Sequence, residues 1–139
     1  MASMRRSMAL DSFGLFAVTL LAFGVGCARK SNTVACTVSY GGEARRLEFP
    51  PTTDPYAVQA LDIAGRFRFK VVYLREPRSA ASINVYAYQQ VDGANVLLQE
   101  GKYAPPFSLG ARARYGFTGR QLVYSATERE LEYWCELSP

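Results

Sequence analysis

Gly65 to Leu74 read GRFRFKVVYL, and the alternation in this stretch decides the fold. Phe67, Phe69, Val71 and Tyr73 recur at every second position, so in an extended chain they share one face while Arg66, Arg68 and Lys70 share the other. A helix would scatter the same four apolar residues around its axis. A strand with one apolar side needs a second apolar layer against it. Its cationic side needs acceptors or water, because like charges standing in a row repel.

The residues that follow supply the neighbours. Ser82 to Val91 alternates again, setting Ile83, Val85 and Ala87 against Asn84, Tyr86 and Tyr88. Asp92 and Gly93 are a turn signal, and Val96 to Tyr103 is the expected return strand, so Phe67 to Tyr103 reads as a three-stranded meander. Pro105 and Pro106 end it. Gln121 to Ser125 and Glu130 to Leu137 are two further strands. In the second, Leu131, Tyr133, Cys135 and Leu137 face one way, and Glu130, Glu132, Trp134 and Glu136 the other.

On the N-terminal side, Val34, Cys36, Val38 and Tyr40 alternate with Ala35, Thr37 and Ser39, which predicts a half-buried strand over Thr33 to Tyr40. Gly41 and Gly42 turn the chain, and Glu43 to Phe49 returns with Leu47 and Phe49 inward. Pro50, Pro51 and Pro55 interrupt regular pairing. Residues 54 to 64 admit two readings, a short helix opened by Asp54 and stopped by Gly65, or an extended segment. The pattern as a whole is all-β: a small antiparallel β-sandwich or barrel-like domain. Aromatic content of 13%, with nine Tyr and eight Phe, agrees with a strand-rich chain. Cys36 and Cys135 fall on the apolar faces of the first and last strands, so they are expected to meet inside as a disulfide.

Before this domain stands Phe13 to Cys27, FGLFAVTLLAFGVGC, an uncharged apolar run preceded by Arg5 and Arg6. The run is shorter than the ~20 residues of a membrane span and ends in small residues, the pattern of an export signal. Residues 1–26 are therefore read as a signal segment of the lipoprotein type, 27–33 as a tether and 34–139 as one β-domain. Loss of Arg5, Arg6 and Asp11 with the signal takes the formal charge from +4 to +3, a balance that suits an anionic partner. Export makes nucleic acid an unsuitable one. In an oxidising compartment cysteines pair, which agrees with Cys36 and Cys135 as partners.

Gly24, Val25, Gly26 and Cys27 resemble the bacterial lipobox, although Gly24 stands where that motif usually has Leu. The resemblance implies that Cys27 is acylated and becomes the membrane anchor. Ala28 after it resembles lipoproteins sent to the outer membrane, so the expected location is the outer membrane facing the periplasm. Ordinary cleavage would instead leave a soluble periplasmic protein.

For chemistry, the chain has no histidine, which removes His-based triads, imidazole bases and His metal sites. Glu128, Glu130 and Glu132 alternate on a strand and read as surface charge rather than as a pair for glycoside cleavage. No catalytic residue, metal site or cofactor is expected, and the chain is read as a binding or structural module rather than an enzyme.

Two surfaces stand out. Gly101 to Thr127 holds no acidic residue, and Arg112, Arg114, Tyr115, Phe117 and Arg120 mix basic and aromatic groups there, a candidate contact for an anionic envelope component or a protein. Trp134, with Tyr86, Tyr88, Arg66 and Arg68, also falls on outward faces and could form an aromatic and arginine patch. In its small size, export and single disulfide the domain resembles membrane-bound lysozyme inhibitors of bacteria. That resemblance implies an alternative role, an inhibitor or binder of a secreted hydrolase.

Overall fold

The computed structural model describes residues 32–107 and 114–138. Cys27 and Arg112 lie outside the described residues. Eight strands follow one another: β1 Thr33–Tyr40, β2 Glu43–Phe49, β3 Leu61–Ile63, β4 Phe67–Leu74, β5 Ser82–Val91, β6 Ala94–Tyr103, β7 Gln121–Val123 and β8 Leu131–Ser138. They build two four-stranded antiparallel sheets, ordered β2-β1-β8-β7 and β3-β4-β5-β6. The domain is a β-sandwich.

The sheets meet through the alternating apolar rows of the sequence. Phe67, Phe69, Val71 and Tyr73 of β4 and Ile83, Val85 and Ala87 of β5 are buried on one side. Val34, Cys36 and Val38 of β1 and Leu131, Tyr133 and Cys135 of β8 are buried on the other. Rings lock the layers together: Phe69 meets Tyr133 edge-on at 5.0 Å and Tyr40 meets Phe67 at 5.2 Å. Full burial of side chains of this size stabilises a fold by roughly 1.5–3 kcal/mol each, so these inward rows supply most of the driving force.

Thr33, read as the end of the tether and also as the start of the first strand, pairs with Ser138 and belongs to β1. Gly65 and Arg66 belong to a turn before β4, where Ala64 and Gly65 both have positive φ. Of the two readings of residues 54 to 64, the extended one describes Leu61–Ile63, which pairs with β4 as β3. No helix forms over 54–64; the Asp54 carboxylate accepts from the Tyr56 N–H at 2.9 Å and closes a local turn. The preceding segment is fastened to the edge of β4 when the Thr52 N–H donates to the Tyr73 carbonyl at 2.8 Å.

The disulfide joins Cys36 to Cys135 across adjacent strands of one sheet, in direct register. The two backbone groups of Cys135 point away from β1: its N–H donates to Thr118 Oγ1 at 2.8 Å, and its carbonyl accepts from the Phe117 N–H at 2.9 Å. Cys36 and Cys135 are thus a non-hydrogen-bonded pair, the closer of the two cross-strand spacings, with Cα atoms 4.0 Å apart. Between β5 and β6 the register shifts after Ala87, leaving Leu98 as an extra residue that turns to the core.

Candidate functional site

The predicted basic and aromatic segment is divided by the fold. Phe117 turns inward and packs against Tyr103 at 5.2 Å and Phe107 at 6.2 Å, closing one end of the sandwich. Arg120 is ion-paired with Glu132, whose carboxyl the hydrogen bond from that guanidinium holds below its ordinary pKa. Arg114 stays exposed with its guanidinium 5.3 Å from the Tyr115 ring centroid, and Tyr115 meets Trp134 edge-on at 5.4 Å. What reaches the surface here is a short Arg114, Tyr115, Trp134 ladder on the outer side of β8.

Glu128 and Glu136 are likewise engaged, the latter by Arg46. Glu128 accepts from the Tyr40 hydroxyl at 2.9 Å and lies 3.4 Å from Arg66, so its two oxygens bind the sandwich end together. The hydrogen bond to Glu128 raises the Tyr40 pKa, as does burial of the phenol. Among the described residues no group of three potential metal-ligating side chains occurs.

Trp134 and the tyrosine pair lie on different sheets. Trp134 projects from β8, whereas Tyr86 and Tyr88 project from β5, on the opposite outer face of the sandwich. The single patch expected from their outward parity is therefore two patches, because parity along a strand does not say which sheet the strand joins.

The outer face of β4, β5 and β6 is the richer of the two. Register sets out three rows across it: Arg68, Tyr88 and Leu97; Lys70, Tyr86 and Glu100; Val72, Asn84 and Lys102. The Tyr86 and Tyr88 rings stand 6.2 Å apart with planes 18° from parallel. Burial, and next to it the charge of Glu100, raises the pKa of both phenols, so they remain protonated donors at neutral pH. Arg68 is occupied by Asp62 of β3 at 3.7 Å. Lys70 has no carboxylate partner among the described residues.

The β2–β3 loop completes this face. Val72 points outward yet is only 3% exposed, and Pro55 and Tyr56 line the same hollow beside it. The hollow measures ≈ 340 Å³ and is floored by Lys70, Val72, Asn84, Tyr86 and Tyr88. Asn84 lines it, although its carbonyl oxygen is buried away from solvent with no hydrogen-bond partner. Sequence reading placed Asn84, Tyr86 and Tyr88 on one outward row. It missed Tyr56, which is 90% exposed, because no periodicity links a loop residue to a strand it only approaches in space.

No family model, no characterised protein and no solved structure matches the chain, so its function is argued from its own side chains.

Proposed function

We propose that the chain is an exported, non-enzymatic binding module of a bacterial envelope, anchored by acylated Cys27 to the outer membrane and facing the periplasm. Its β-sandwich presents side-chain surfaces to an envelope component or a protein partner. One observation carries this reading. Cys36 and Cys135 are bonded in the core, both at 0% exposure, and such a bond persists in the oxidising space to which an export signal leads. The charge that Arg114 adds beside Tyr115 and Trp134 suits an anionic partner on the β8 side, although Arg120 is neutralised by Glu132.

Metabolic labelling with a fatty acid tests the anchor. Wild type is expected to take up label and partition with the outer membrane, and Cys27→Ser to take up none. If neither takes up label, the domain is a soluble periplasmic protein.

A further inference from the structure

We infer that the hollow on the outer face of β4, β5 and β6 binds a short saccharide chain carrying carboxylates. This deepens the binding-module reading and rests on it, since it names the ligand that one of its surfaces takes.

The backbone excludes the commonest alternative. β5 is hydrogen-bonded on both sides over this face, so no peptide strand can be added along it, and recognition there falls to side chains read from above. At ≈ 340 Å³ the hollow lies at the small end of ligand sites, too confined for a helix.

Its chemistry is mixed in the way a sugar is mixed. Tyr86 and Tyr88, their rings near-parallel, supply aromatic surface for the C–H side of a pyranose, and the Tyr88 hydroxyl supplies a donor to its oxygens, that of Tyr86 being held by Glu100. Tyr56, on the rim, brings a third ring from a loop that can close against a ligand from the side. An entirely apolar ligand would leave Lys70 unmatched, and an entirely ionic one would leave the rings uncovered.

One group narrows the class. Lys70 is unpaired among the described residues while its neighbour Arg68 is held by Asp62, so the β4 side of the hollow is positive and attracts a carboxylate. On the β6 side Glu100 accepts from the Tyr86 hydroxyl and Lys102 stands in register with Asn84. Lys70, which lines the hollow, is the group that meets the acid of the ligand.

Calorimetric titration of the full chain with its disulfide intact tests this, using tetragalacturonate, the neutral maltotetraose and tetraglutamate as probes. Tetragalacturonate is expected to bind, and the neutral sugar and the acidic peptide to bind about tenfold more weakly or not at all. Tyr86→Ala and Lys70→Met should each weaken tetragalacturonate about tenfold. Only variants that melt as wild type does are compared, and Trp134→Ala, on the opposite sheet, should bind undiminished. Failure of folded wild type to bind tetragalacturonate overturns the inference. So does equal binding of tetraglutamate, or full binding by folded Tyr86→Ala and Lys70→Met. The fatty-acid label reads the anchor separately, so loss of either result leaves the other standing.

Discussion

At the scale of single residues, Gly116 has no room for a side chain. A Cβ there would stand 2.0 Å from the Cys135 carbonyl oxygen, and its φ of +61° lies in the left-handed region that glycine tolerates. The close approach is what lets residues 116–118 satisfy both backbone groups of Cys135 where β7 has not yet begun. Gly119 shares the positive φ, at +68°, but a Cβ there meets open space. Comparing the two separates strain from collision. Gly119→Ala should lose about 1–2 kcal/mol, the cost of placing one L-residue in that conformation. Gly116→Ala should lose more, because the segment must also withdraw and leave the Cys135 N–H and carbonyl unpaired, at about 1–3 kcal/mol for each buried group. Urea unfolding midpoints of the two variants check this, and equal losses would show that the segment moves aside freely.

At the scale of elements, the β2–β3 loop turns part of an outer sheet face into an inner one. Alternation assigns Val72 to the solvent side of β4, together with Arg68 and Lys70. Pro55 lies beside it, and Thr52 holds the loop to the end of β4, so Val72 is buried where Lys70 is not. Val72→Thr is therefore expected to cost about 1–3 kcal/mol, the penalty of burying a hydroxyl without a partner. Lys70→Thr, one step along the same face, should change stability by less than about 0.5 kcal/mol, as surface substitutions usually do. Thermal melting of the two variants distinguishes a covered face from a solvated one. The hairpin turns belong to the same scale and were readable directly: Gly41 with Gly42, and Asp92 with Gly93, sit at positive φ in the two-residue connections their residue types predict.

At the scale of the whole molecule, the first and last strands lie side by side in the middle of one sheet, and the bond between Cys36 and Cys135 closes a sequence separation of 99. In the chain-entropy account a loop of that size is worth about 4.7 kcal/mol, comparable to the full stability of a small domain. Cys36→Ser and Cys135→Ser should each lower the melting temperature markedly and to a similar degree, with the double variant no worse than either. Calorimetry of the three variants reads this, and free thiols at both positions in the native protein would contradict the bond. Local pattern was enough to determine the strands β1, β2, β4, β5, β6 and β8, their inward rows, the tight turns, the all-β class and the facing of both cysteines, because side-chain parity and turn chemistry are properties of neighbours in sequence. Tertiary structure alone decided that β1 pairs with β8, that Tyr86 and Trp134 stand on opposite faces, that Phe117 is drawn into the core and Arg120 to Glu132, and that Tyr56 closes a hollow over Asn84. Each of those depends on which strands become neighbours across the sandwich, and that is settled by the joint burial of the two inward faces rather than by any one segment.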